Sequence, residues 1–133
     1  KKGRARKATS ICDTVLEIRK ESLSEWHIDY ARALATKGSS LSMRGEFEEA
    51  TGCLNEALRV AKQSVLAAHP AIGEIQLEMG LLWLRKCQFG EAKKSVETAA
   101  DVFRKANFDE DHPGLQRVAD LLDRIERDEA LYV

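Results

Sequence analysis

Apolar residues recur along this chain at intervals of three and four, the spacing that gathers side chains on one face of a helix. Ile75, Met79, Leu82 and Trp83 form one such run, and Leu34, Gly38 and Leu41 form its counterpart earlier in the chain. Ala50, Leu54, Ala57, Leu58 and Ala61 predict a helix from about Glu48 to Leu66, and Ala92, Val96, Ala99, Val102 and Phe103 predict another from about Glu91 to Ala106. A last helical run covers Leu115 to Glu129, and an opening one covers Arg4 to Ser24. Turns fall at Arg44-Gly45-Glu46-Phe47 and Lys86-Cys87-Gln88-Phe89-Gly90. His69-Pro70 and His112-Pro113 each open a helix, because proline in the first turn lacks only an N–H that has no intrahelical partner anyway. The pattern predicts six helices, short loops and no strands.

The helices repeat. A shift of 42 residues pairs His27 with His69, Gly38 with Gly80, Phe47 with Phe89, Glu49 with Glu91, Ala50 with Ala92, Ala57 with Ala99 and Val60 with Val102. The same shift pairs Gly3 with Gly45, Ala8 with Ala50, Thr9 with Thr51, Leu16 with Leu58, Lys20 with Lys62 and Ser22 with Ser64. The expected organisation is a half repeat (1–26), two repeats (27–68 and 69–111) and a half repeat or capping helix (112–133), as a fragment of a longer chain.

Each unit places a small residue in the middle of its first helix (Gly38, Gly80) and a bulky one three later (Leu41, Trp83). An alanine follows twelve after the glycine (Ala50, Ala92), and another seven beyond that (Ala57, Ala99). Glycine suits a site where two helix backbones approach closely, and the bulky residue fills the space between units. These landmarks resemble the tetratricopeptide repeat. The period of 42 and the His-Pro pairs are similar to the kinesin light chain type of that repeat, although the loop before the first pair is only Leu66-Ala67-Ala68. The resemblance implies an all-α fold, a right-handed solenoid of about six antiparallel helices, serving as a scaffold for other proteins.

In such solenoids the first helices line a concave groove. The resemblance places Arg32, Ala35, Thr36, Ser39 and Ser42 there in one unit, and Glu74, Leu77, Glu78, Leu81, Leu84 and Arg85 in the next. Arg117, Asp120, Arg124 and Arg127 follow from the last helix. Leu77, Leu81 and Leu84 stack at i, i+4 and i+7, beside the packing face of Met79, Leu82 and Trp83. Two readings stay open for this stripe. It is a groove floor rimmed by Arg32, Arg85, Arg117, Arg124 and Arg127 that takes an acidic peptide with leucine or aromatic anchors. Alternatively it is covered, by neighbouring helices or by a second copy in a homodimer, for which the open end at Val15, Ile18 and Leu23 offers another surface. Chaperone tails are disfavoured, since Ala35, Ser39, Leu77 and Leu81 replace the lysine and asparagine set that holds a C-terminal carboxylate.

Charge and chemistry narrow the picture further. The 21 basic and 22 acidic side chains of the 133 residues nearly cancel, to a formal net charge of −1, which argues against nucleic acid as a partner. The basic start, Lys1, Lys2, Arg4, Arg6 and Lys7, reads as a solvated helix end. The apolar stretch from Met79 to Leu84 is far short of the roughly 20 residues of a membrane span. Cys12, Cys53 and Cys87 form no CxxC pair and read as reduced, semi-buried residues of a cytoplasmic protein. His27, His69 and His112 recur with the repeat, which favours a structural role over metal ligation or base catalysis. No phosphate loop, triad or paired carboxylate stands out, so neither catalysis nor a cofactor nor a metal is expected.

Overall fold

The structure is a computed structural model and describes residues 28–64 and 69–132. All regular structure among these residues is helical: α1 (Ile28–Met43), α2 (Phe47–Ser64), α3 (Pro70–Arg85), α4 (Phe89–Lys105) and α5 (Pro113–Ala130). The helix expected over Arg4 to Ser24, the open-end residues Val15, Ile18 and Leu23, and His27 lie outside the described residues. The chain divides into two compact units, Lys1–Leu66 and Ala67–Val133. The first contains the hairpin of α1 and α2, and the second contains the hairpin of α3 and α4 with α5 packed on it.

Three of the helix ends are built alike. After α1 the chain turns through Gly45 at φ 82, with Gly45 N–H donating to the Ser42 carbonyl (3.0 Å) and Glu46 N–H to that of Leu41 (2.9 Å). After α3 it turns through Cys87 at φ 60, with Cys87 N–H donating to Leu84 (2.9 Å) and Gln88 N–H to Trp83 (2.8 Å). After α4 it turns through Asn107 at φ 68, bonded to Arg104 and followed by Phe108 N–H to the Phe103 carbonyl, both at 3.0 Å. This paired pattern satisfies carbonyls that a helix end leaves open, and it requires a left-handed residue. Cys87 occupies the position that Gly45 holds one repeat earlier.

The starts of α3 and α5 are also alike. His69 (φ −70, ψ 135) and His112 (φ −64, ψ 139) stand just outside their helices, and each Nδ1 accepts an N–H two residues on, from Ala71 and Gly114, at 3.0 Å in both cases. Pro70 and Pro113 follow as the first helical residues. The recurrent histidines are thus helix caps, satisfying a donor that the first turn cannot.

Close contact between the helices of each hairpin depends on glycine. A β-carbon at Gly38 would lie 2.8 Å from Leu54 Cγ, and one at Gly80 would lie 2.6 Å from Val96 Cγ2. In α3, Gly73, Leu77, Gly80 and Leu84 share this inward face, at i, i+4, i+7 and i+11, and all are buried. The matching face of α1, Ala31, Ala35, Gly38 and Ser42, is buried too. The core of the second unit joins Leu77 and Leu84 to Ala92, Val96 and Phe103 of α4 and to Leu115, Val118 and Ile125 of α5.

The equivalent face of α5 differs. Gln116, Asp120, Asp123 and Arg127 are all exposed, and among the described residues no helix packs on them as α2 and α4 pack on α1 and α3. The far end of α5 closes over the α3–α4 turn. Lys93 Nζ bonds Glu129 (2.7 Å), the Tyr132 ring lies 5.5 Å from that of Phe89, and Cys87 Sγ donates to the Tyr132 hydroxyl at 3.6 Å.

Candidate helix-face binding site

A helix whose inward face is used for packing leaves the next residue along each turn, about 100° around the axis, beside that face. On α3 these residues are Glu74, Glu78, Leu81 and Arg85, at i, i+4, i+7 and i+11, all half-buried. Forty-three residues later α5 presents Arg117, Leu121, Arg124 and Asp128, with the arginines exposed and Leu121 and Asp128 half-buried. The two stripes adjoin, since Arg117 donates to Glu78 at 3.3 Å.

Electrostatics bind the set together. Burial pushes the Arg85 guanidinium down from its ordinary range; the Glu78 carboxylate opposes this, and the charge of Arg124 adds to it. Arg124 in turn stands 3.9 Å from Asp128. Leu81 and Leu121 both pack partly onto the core of the unit, leaving the rest of each side chain at the surface. The second unit thus offers two partly covered leucines among three arginines and three carboxylates, an apolar centre with a charged rim.

The residues expected to form a site are divided by this arrangement. Arg85, Arg117 and Arg124 come together with Leu81 in the second unit. Leu77 and Leu84 do not: only 1% and 4% exposed, they face α4 and α5 on the same side as Gly80, so within this unit they are core rather than groove floor. The physical reason is the close approach at Gly80, which draws its neighbours at i−3 and i+4 inward with it. Ala35 and Ser42 of α1 are buried for the same reason, and Asp120 and Arg127 fall on the outer face of α5. Arg32 and Ser39 belong to the first unit. Arg32 is exposed, Ser39 half-buried, and Thr36 Oγ1 between them donates to the Arg32 carbonyl at 3.0 Å. With Met43, 60% exposed, these residues occupy the α1 positions that Glu74, Glu78, Leu81 and Arg85 occupy on α3.

Leu121 is the residue that sequence reasoning passed over. Its signal was the repeat itself, because it stands 43 residues after Glu78, as His112 stands 43 after His69. Cys87, expected to be semi-buried, is exposed at its turn, while Cys53 is half-buried. Among the described residues no group of three or more His, Cys, Asp or Glu side chains is arranged to hold a metal ion. No helix there is long and apolar enough to cross a membrane.

No curated protein matches the chain. Residues 1–63 match the family model described as Tetratricopeptide repeat, and that match supports a tetratricopeptide-repeat protein.

Proposed function

We propose that the chain is a protein-binding scaffold of the kinesin light chain-like kind of tetratricopeptide repeat, without catalytic activity, and that its second unit binds a partner segment across α3 and α5. Tetratricopeptide repeats generally mediate protein–protein interaction. The observation that carries the reading is the pair of adjoining stripes, Glu74-Glu78-Leu81-Arg85 and Arg117-Leu121-Arg124-Asp128, linked through Glu78 and Arg117. Leu81 and Leu121 would receive an apolar anchor, and Arg85, Arg117 and Arg124 would orient acidic groups flanking it. Arg32 and Ser39 would serve the first unit in the same way. The partner is then an acidic segment with leucine or aromatic anchors, and the setting is the cytoplasm.

The competing reading, a leucine stripe buried by self-association, is weakened by the cover that Leu77 and Leu84 already receive within their own unit. Selection of peptides from a random twelve-residue library on the immobilised chain tests the proposal. Selected peptides should be acidic and carry a leucine or aromatic residue, and their affinity should fall at least about tenfold for a Leu81→Glu, Arg124→Glu variant with native helical content. Equal affinity for the variant would place binding elsewhere on the chain.

A further inference from the structure

The cap on α5 depends on a single ring nitrogen. His112 Nδ1 accepts the Gly114 N–H at 3.0 Å, so it carries no proton, and the neutral ring is protonated at Nε2. The ring is not free to turn away. It stacks on Phe108 with centroids 3.7 Å apart, Phe108 stacks on Phe103 at 5.6 Å, and the backbone at this point is tied down by the His112 amide N–H donating to the Asp109 carbonyl at 3.0 Å. A proton taken up at Nδ1 would therefore set an N–H against the Gly114 N–H in a ring that the aromatic stack keeps in place. The helix N-terminus opposes the new charge as well, since its unpaired N–H groups carry partial positive charge.

Charged groups flank the cap. The loop before it supplies Asp109, whose carboxylate accepts the Asp111 N–H at 3.1 Å, together with Glu110 and Asp111. From α4 comes Arg104, which holds Glu110 at 3.1 Å. From α5 comes Gln116, whose amide donates to the Glu110 carbonyl at 3.0 Å, and then Arg117. α3 reaches this corner through Gly73, packed on the Phe103 ring and without charge. The cap is what the formation of an imidazolium removes.

We propose that His112 is a proton-sensitive fastening of α5. While Nδ1 carries no proton, the cap holds the first turn of α5. Once Nδ1 takes a proton the cap is lost, that turn frays, and the hold on Leu115 and on the Glu78–Arg117 bridge loosens. His69 accepts the Ala71 N–H of α3 through the same ring nitrogen. This inference is independent of the binding proposal, because it concerns how the second unit holds together.

Urea unfolding of the whole chain at about pH 7.5 and about pH 5.5, for the native protein, His112→Asn and His112→Ala, tests it. Asparagine offers an acceptor that does not titrate. The native folding equilibrium constant should fall about fivefold relative to that of His112→Asn between the two pH values, the weight of one N-cap. It should approach that of His112→Ala at the lower pH. Exchange of the Gly114 amide in the native protein, corrected for its intrinsic pH dependence, should accelerate over the same interval. A native-to-asparagine ratio that stays constant, or a Gly114 amide equally protected at both pH values, would overturn the proposal. Should His112→Ala fail to fold, these two readouts still decide.

Discussion

A β-carbon on Gly80 would stand 2.6 Å from Cγ2 of Val96, closer than side chains pack, and the next nearest atom is the Ala92 carbonyl oxygen at 3.4 Å. Gly38 relates to Leu54 and the Ala50 carbonyl in the same way, at 2.8 and 3.2 Å. The closeness of α3 to α4 thus rests on the absence of one methyl group. Alanine at Gly80 gains about 1 kcal/mol of helix propensity but incurs overpacking of about 1–3 kcal/mol. Gly80→Ala should lower stability, Gly80→Val should lower it further, and Val96→Ala should recover part of the loss in the double variant. Gly52 of α2 has nothing within 4 Å of such a carbon, so Gly52→Ala should raise stability by about 1 kcal/mol. Urea midpoints of the four variants check the contrast, and a stabilising Gly80→Ala would refute it.

Cys87 is strained where Gly45 is not. A side chain in the left-handed region costs roughly 1–2 kcal/mol, and the bond from Cys87 Sγ to the Tyr132 hydroxyl is a weak, exposed one. Cys87→Gly should therefore raise the thermal midpoint, and Cys87→Val should lower it, since a β-branched residue suffers most at positive φ. Calorimetry of both variants measures the difference directly.

Leu77 and Leu81 differ by one helical turn and should respond very differently to truncation. Leu77 is 1% exposed in the core, so Leu77→Ala should cost about 2–5 kcal/mol. Leu81 is only partly buried, and the lost burial at Leu81→Ala should be about 1 kcal/mol or less. Denaturant unfolding of the two variants gives the ratio. Comparable losses would mean that Leu81 belongs to the core as much as Leu77 does.

The Arg104–Glu110 pair sets a pH dependence of known sign. The hydrogen bond from Arg104 pulls the Glu110 carboxyl below its ordinary range; desolvation works against this, and the guanidinium charge works with it. A carboxylate with a depressed folded pKa contributes stability that is present above its unfolded value and is lost as the pH falls through the folded one. Carboxyl-resolved NMR titration should find Glu110 ionised to lower pH than a free glutamate, and Arg104→Gln should move it back upward. No movement in that variant would show that the pair does not persist in solution.

Much of the local structure was legible in the sequence because it depends on neighbours along the chain. The starts of α3 and α5 follow from Pro70 and Pro113, residues with preset φ, while the capping by His69 and His112 emerged only in the structure, and the turns after α1 and α3 follow from the repeat register that sets Cys87 in the place of Gly45. The helices themselves follow from the three-and-four spacing of their apolar residues. Gly38 and Gly80 could be read as points of close approach, since their position relative to Ala50 and Ala92 is the same in both repeats.

What only the tertiary structure decided is which apolar residues are left over after packing. Leu77, Leu81 and Leu84 look like one stripe in a helical projection, yet successive members differ by some 40–60° around the axis. That is enough for α4 and α5 to cover the first and last while the middle one reaches the surface. Their separation depends on where neighbouring helix axes run, and those are set by the contact at Gly80 and by the docking of Leu115, Val118 and Ile125, residues distant in sequence. Periodicity gives the angle of each side chain around its own helix; only the placement of the next helix determines which angles remain open to a partner.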